Sequence, residues 1–314
     1  MLRMIARRAL LLLPILFGIS IVSFVLIALS PSDPAEVAIR VNAMVPTPEL
    51  IAQTRRELGL DEPMLLRYVH WLGGVLTGDF GRSYVSGRAV TAEIAEAMPP
   101  TLMLALATLA IILAVSVTSA VICARYEGGL PDKCVRMLIF LTSALPGFWA
   151  GLLLMWLFAV ELDLLPTSGM RGPSSIILPA LTLSLAYIST YARLIRAEMI
   201  RTSHEGWVLF ARGRGLTGSR ITAHVLINSL RGAATALGMS IPKLIAGAFV
   251  VESIFAWPGV GRLCVTAIFN RDFPVIQAYV LIMAVMFVLF NLASDVFVAW
   301  LDPRESRGEG GSQP

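Results

Sequence analysis

The chain is poor in the groups from which soluble active sites are built. Of its 314 residues only 15% are charged and 8% aromatic, and it has three histidines and three cysteines. His70, His204 and His224 form no i, i+4 pair and stand beside no carboxylate cluster, so each reads as a loop or interface histidine and no metal centre is indicated. Cys123, Cys134 and Cys264 lack CxxC spacing and fall in or beside apolar runs, which indicates neither a disulfide framework nor a zinc site. No GxxxxGK[ST] stretch occurs, so the chain cannot cradle a nucleotide phosphate by that route. Internal repeats and a second soluble domain are also lacking.

What it has in excess is apolar surface. A hydrophobic content of 56% and a mean hydropathy of +0.76 lie outside the range of soluble domains and read as an all-α, polytopic membrane protein. The net charge of +4 needs no nucleic acid to explain it, because basic residues gather at the N-terminus and in loops where membrane orientation requires them. Residues 1–8, with Arg3, Arg7 and Arg8, are expected in the cytoplasm, followed by a first span over 9–30. That run, at about 20 residues, exceeds a signal-peptide core and precedes no small-residue cleavage site. Further spans are expected at 99–124, 135–160, 175–196, 232–255 and 274–300, making six transmembrane helices with both termini inside. Residues 31–98 are expected outside, as short amphipathic helices. In one, Thr47 caps, Pro48 takes the first position and Gly59 ends the turn; another starts at Pro63 and is broken by Gly73-Gly74 and Gly78. The tail 301–314 is Gly-, Ser- and charge-rich and is expected to be disordered.

Three stretches interrupt this apolar pattern. Residues 197–231 carry Arg201, Arg212, Arg214, Arg220 and Arg231 against Glu198 and Glu205, which places the loop in the cytoplasm. Within it a short helix is expected from Thr202 to Ala211, with Ser203 as N-cap and Trp207, Phe210 and Ala211 on one apolar face, ended by Gly213, Gly215 and Gly218. Such a helix suits either a groove in a soluble partner or the lipid headgroups. In the second stretch, Ser253–Leu263, Trp257 suits an interfacial belt, Pro258 stops a helix, and Gly259 and Gly261 allow a turning backbone; a plain interfacial loop is the other reading. The third feature is Lys243, beside Pro242 near the middle of an expected span. It reads as a pathway residue facing a protein interior or wet cavity, or as a lysine snorkelling to the interface.

Several of these pieces, in order, resemble one family. Phe255-Ala256-Trp257-Pro258-Gly259-Val260-Gly261-Arg262-Leu263, Asn270–Val275, and Asn291-Leu292 with Asp295 and Asp302-Pro303-Arg304 look like permeases of the dipeptide, oligopeptide and nickel branch of ABC importers. Leu58–Pro63, Gly78-Asp79-Phe80-Gly81 with Ser83, Thr101-Leu102, and Pro166-Thr167 with Gly169 agree in order, so the resemblance spans nearly the whole chain. Ala211, Arg212, Gly215 and Leu216 resemble the family's EAA loop, which seats in a cleft of the cytoplasmic ATPase. The loop departs from the family at Leu209 and Phe210, where Glu and Ala are usual, and at Leu230-Arg231, near where Leu-Pro would stand.

The resemblance implies a type I ABC importer permease fold and an ATPase-coupling loop holding Glu205, Gly206, Ala211, Arg212, Gly215 and Leu216. It further implies a second homologous permease, two ABC ATPase subunits, an extracytoplasmic solute-binding protein, residence in the bacterial inner membrane, and no cofactor. Pro46–Glu49, Tyr191–Ala197, the short outer loop between Pro166 and Ile176, and Ala267–Asp272 are similar to the nickel permease, so nickel, as a chelate, is expected over peptide as cargo. An intramembrane enzyme would need a nucleophile and base or paired aspartates at membrane depth, and the expected spans offer no histidine and only Asp295. A passive channel is distinguished by whether uptake requires ATP.

Overall fold

The computed structural model describes residues 2–30, 33–238 and 240–301; the tail expected to be disordered and the Asp302-Pro303-Arg304 motif lie outside them. The described chain is helical, with one isolated antiparallel bridge between Arg82 and Ala89. In order, the helices are α1 (Leu2–Ala28), α2 (Pro34–Val41), α3 (Pro48–Glu57), α4 (Met64–Leu76), α5 (Val90–Arg125), α6 (Leu130–Ala144) and α7 (Gly147–Met155). A π turn (Trp156–Glu161) and a 3₁₀ turn (Pro173–Ile176) precede α8 (Ile177–Ser203), α9 (Gly206–Gly213), α10 (Gly218–Gly238), α11 (Ile241–Ile254), α12 (Val260–Asn270) and α13 (Phe273–Leu301). They divide into two compact units: 2–101 with 258–289, and 102–257 with 290–301.

In the first unit the short helices start and stop as their residues dictate. Thr47 accepts a hydrogen bond from Leu50 N at 3.3 Å with Pro48 opening α3, and Asp33 accepts from Ala35 N at 3.0 Å at the head of α2. Arg55 then joins α3 to that cap, its guanidinium 2.7 Å from Asp33 and 3.0 Å from Asp61. The Gly73-Gly74 pair, expected to break α4, does not. Glycine costs a helix only about 1 kcal/mol relative to alanine, and α4 is held by packing. Its Tyr68 meets Phe24 of α1 edge-on at 5.4 Å and shares a 2.8 Å hydrogen bond with Ser20. The stop falls at Gly78, where φ is +85°.

The same unit contains a buried polar staple. Asp272, 2% exposed, accepts hydrogen bonds from Ser83 Oγ at 2.5 Å, Tyr84 N at 3.1 Å and Val85 N at 3.4 Å. Burial and this carboxylate push the Tyr84 phenol up to about 12, so it stays protonated at neutral pH. A second link joins Val260 N to Thr101 Oγ1 at 2.9 Å, above a core of Val90, Ile94, Ala97, Ala267, Val275 and Ala278.

The second unit is built on α8, against which α6, α7 and α10 all pack. The approach of α7 requires glycine at 151, where a Cβ would lie 2.8 Å from Thr182 Cγ2. Two of the expected spans are interrupted. The one over 135–160 is bent by 103° between α6 and α7, at Leu145-Pro146. The one over 232–255 breaks between α10 and α11, where Pro242 sits in the first turn of α11. At that second break the Ala236 carbonyl accepts from Tyr191 Oη at 3.1 Å and Ser240 Oγ at 3.3 Å, and Tyr191 also bonds Ser240. Side-chain donors thus occupy a carbonyl at the interruption, as an apolar surrounding requires.

Val90–Arg125, Pro173–Ser203 and Phe273–Ser294 are long and apolar enough to cross a membrane, and α6 with the stretch to Glu161 would do so as a bent pair. Pro14–Ala28 and Val260–Asn270 are shorter apolar stretches.

Replacing Asp272 by alanine leaves the Ser83 hydroxyl and Tyr84 N without their acceptor, while Val85 N retains Ser83 Oγ at 3.2 Å, an expected cost of about 2 kcal/mol. Asp272→Ala should lower the thermal aggregation midpoint of the detergent-solubilised protein, with Asp272→Asn falling between it and the native chain. Equal midpoints for all three would show that the staple does not stabilise this unit.

Candidate functional site

The loop between α8 and α10 is packed onto the second unit. Helix α8 runs two residues beyond Arg201, so Ser203 is its last residue instead of an N-cap; its hydroxyl donates to Ile200 O at 2.8 Å. The short helix α9 therefore starts later than the expected Thr202, at Gly206, with Glu205 in extended conformation as the preceding residue. Glu205 provides no side-chain cap. Its carboxylate accepts from Trp207 Nε1 at 2.8 Å and lies 3.7 Å from Arg201, which also pairs with Glu198 at 2.8 Å.

The apolar face of α9 differs from the one expected. Val208 is 1% exposed, and Trp207, Ala211 and Leu216 pack with it on Ile195, Met199, Ile221 and Val225. Phe210 instead points away, 66% exposed beside Leu209 at 75%, with the Arg214 guanidinium 5.5 Å over its ring. The inward set is Trp207, Val208 and Ala211, adjacent on a helix of 3.6 residues per turn. Gly215 closes the element with φ +77°, its N donating to Arg212 O at 2.9 Å while Leu216 N donates to Ala211 O at 3.2 Å. Gly218 does not end this helix; it opens α10. Of the sequence-predicted residues, then, Ala211 and Leu216 are the anchors, Gly215 the turn, and Glu205, Gly206 and Arg212 lie on the exposed side.

Beneath this loop lies a contact that sequence reading missed. Asp132, in the first turn of α6 and wholly buried, receives Arg196 Nε and Nη2 of α8, both at 3.0 Å, with Arg136 at 3.3 Å and Gly128 N at 3.1 Å. Its only signal in the sequence is an acid among Arg125, Lys133 and Arg136.

The other predicted residues are dispersed. Trp257 belongs to the core, 1% exposed among Phe255, Leu244 and Val251, and is not an interfacial belt residue. Its N donates to Glu252 O at 2.8 Å, and the left-handed residue that allows this turn is Ala256, φ +47°, in place of a glycine. Gly259 is extended and caps α12, Gly261 is buried in its first turn, and Pro258 and Arg262 are exposed. Lys243 lies in the first turn of α11 and is exposed on this chain instead of facing its interior, because the break before α11 puts it near a helix end. Among the described residues no group of three or more His, Cys, Asp or Glu is placed to hold a metal ion. His70 pairs with Glu62 at 3.0 Å and His204 with Ile200 O at 2.8 Å.

A helical membrane unit carrying a short, braced helix with an exposed apolar tip is the form of an ABC transporter permease. Residues 116–307 match the family described as "Binding-protein-dependent transport system inner membrane component", and residues 1–105 match its N-terminal companion, so the chain belongs to that family. It is 37% identical over 309 residues to the metal-staphylopine import system permease protein CntB of Staphylococcus aureus (strain NCTC 8325 / PS 47), covering 98% of this chain and 99% of that relative. It is also 35% identical over 304 residues to the glutathione transport system permease protein GsiC of Escherichia coli (strain K12), covering 96% and 98%. Among solved structures, the MetNI methionine ABC transporter in inward-facing conformations aligns with a TM-score of 0.53 at 16% identity, over 68% of this chain and 96% of that one. An amino acid ABC transporter aligns with a TM-score of 0.53 at 17% identity, over 66% and 94%. At these identities the structures speak for the fold. The chain is thus a multi-pass permease subunit of an ABC importer and not an enzyme; ATP hydrolysis belongs to a separate subunit.

A Cβ added at Gly215 would meet open space, so only the left-handed backbone constrains the residue there. Gly215→Val should cost the loop about 1–2 kcal/mol and reduce transport, whereas Gly215→Asn, which tolerates that conformation, should transport near normally. Equal activities in the two variants would show that the turn is not needed.

Proposed function

We propose that this permease forms the path for nickel, carried as a chelate, across the bacterial inner membrane, with α9 as the element that receives the stroke of the ATPase. The observation that carries the second part is the two-sided nature of α9. One face is locked onto α8 and α10, and the other offers Leu209, Phe210 and Arg212 to a partner. A helix that only lay on headgroups would put its apolar side chains together on one face; here two apolar sets point in opposite directions. On this reading the loop 197–231 is cytoplasmic, both termini are cytoplasmic, and residues 31–98 face the outside. The assembly contains a second homologous permease, two ABC ATPases and an extracytoplasmic solute-binding protein. Glu205, Gly206, Ala211, Arg212, Gly215 and Leu216 act as one coupling unit that changes position when the ATPases close.

Support for a chelated metal comes from the CntB relative, whose name specifies metal-staphylopine import, and from the resemblance of residues 46–49 and 267–272 to nickel permeases. A complexed ion needs no ligand set in the permease, and recognition then rests with the binding protein. Lys243, exposed on the surface of this chain, would line the path formed with the second permease and meet the carboxylates of a chelator. The second reading, a peptide-like cargo, draws on the GsiC relative, which is a glutathione permease.

Uptake of labelled nickel, with and without chelator or competing glutathione, in cells lacking this gene and in cells with it restored, separates the two. The expected result is ATP-dependent nickel uptake that needs the gene, rises with chelator and ignores glutathione. Intact nickel uptake together with lost peptide import would overturn the cargo while leaving the permease assignment in place. For the coupling face, Phe210→Glu should leave the complex assembled yet cut uptake at least tenfold, the equivalent of about 1.4 kcal/mol. Undiminished uptake would remove Phe210 from the ATPase contact.

A further inference from the structure

Within the second unit, α5, α6 and α8 enclose a pocket of about 240 Å³ that the coupling role does not use. Arg136, Arg193 and Arg196 line it together with the hydroxyls of Ser119, Ser143 and Ser189. These cations are not equivalent. Arg196 is committed to Asp132 by two hydrogen bonds, and Arg136 shares the same carboxylate at 3.3 Å. Arg193 gives only its Nε, to Ser189 O at 3.1 Å, and among the described residues no carboxylate pairs with it. Against these three guanidinium charges stand Asp132 and, acting on Arg196 through space, Glu127, which leaves a surplus of one positive charge around a space of small volume.

The remaining wall is apolar. Ile139 and Phe140 of α6 border the pocket, and the same helix exposes Met137, Leu138, Phe140 and Leu141, from 57% to 76%. A largely apolar recess bordered by exposed arginines, beside an apolar helix surface, fits an amphiphile with an anionic oxygen head and hydrocarbon tails. Basic pockets between transmembrane helices recognise phospholipid head groups in this way, and arginine forks are matched to phosphate oxygens. The pocket runs along the second half of α6, from Arg136 to Ser143, and Arg136 stands at the end of it nearest the basic turn before α6, the side where anionic lipid is attracted.

We propose that this pocket binds the phosphate of an anionic phospholipid, with Arg193 and Arg136 as its contacts and the acyl chains lying along the exposed face of α6. The bound lipid would neutralise the surplus charge beside Asp132 and so steady the helices that carry α9.

Native mass spectrometry of the assembled transporter, extracted in mild detergent and titrated with phosphatidylglycerol or phosphatidylcholine, tests this directly. The native chain should retain phosphatidylglycerol in preference. Because each cation near an anionic lipid contributes roughly a fivefold factor, Arg193→Gln should weaken retention about fivefold and the Arg136→Gln, Arg193→Gln pair roughly 25-fold. Arg193→Lys should restore most of it, and Arg220→Gln, outside the pocket, should change nothing. Unchanged retention in the double variant, or equal retention of both lipids by the native chain, would overturn the proposal. Displacement of the lipid by millimolar inorganic phosphate would overturn the lipid as occupant and point to a soluble anion.

Discussion

A carboxylate with no exposure, Asp132, holds together the part of the molecule on which α9 rests. Taking such a charge out of water is expensive, and a pair at this depth is tolerated only with good geometry and its remaining lone pairs satisfied. Asp132 meets both conditions, with two bonds from Arg196, one from Gly128 N and the Arg136 guanidinium nearby. Arg196 lies one turn of α8 before Met199 and one residue after Ile195, the two side chains against which Val208 of α9 is buried. The ion pair thus fixes α6 and the end of α5 to the same stretch of α8 that supports α9. On the proposed coupling role, a displacement of α9 would reach α6 through this shared stretch of α8.

The other constraint is that a backbone in apolar surroundings must satisfy its own polar groups. The breaks in this chain show how that is done. Tyr191 and Ser240 occupy the Ala236 carbonyl where α10 gives way to α11. Gly169 N reaches Phe255 O at 2.8 Å, Thr101 Oγ1 accepts Val260 N, and Asp272 accepts three donors from residues 83–85. Apart from the Ser240–Ala236 bond, each of these contacts joins two short stretches that stand far apart in the sequence. Several residues that carry the family resemblance, Thr101 with Val260, Ser83 with Asp272 and Gly169 with Phe255, are therefore the two halves of contacts.

The all-helical membrane character is legible because composition alone demands it, and Thr47, Gly59 and Gly78 act as their stereochemistry dictates. Family membership is readable from ordered motifs for the reason just given. What stays hidden depends on tertiary packing. Apolar runs look continuous whether or not the helix bends, so the break at Leu145-Pro146 and the one before Ile241 leave no mark in hydropathy. The face of α9 is ambiguous because both Phe210 and Val208 are apolar, and only the position of α8 decides which one turns inward. Residue type assigns Trp257 to an interface, although a large ring is equally suited to a core once Ala256 adopts a left-handed turn. Asp132 and Arg196, 64 residues apart, carry no local pattern that links them.

The central claim is that the outer face of α9 meets the ATPase and the inner face does not. Cysteine cross-linking decides it, in a chain whose own Cys123, Cys134 and Cys264 have been replaced and which is assembled with its partners in membranes. A cysteine placed at Phe210 should cross-link to the ATPase with a yield that changes on adding nucleotide, and one placed at Ala211 should not. A nucleotide-independent result at Phe210, or a cross-link only from Ala211, would contradict the account.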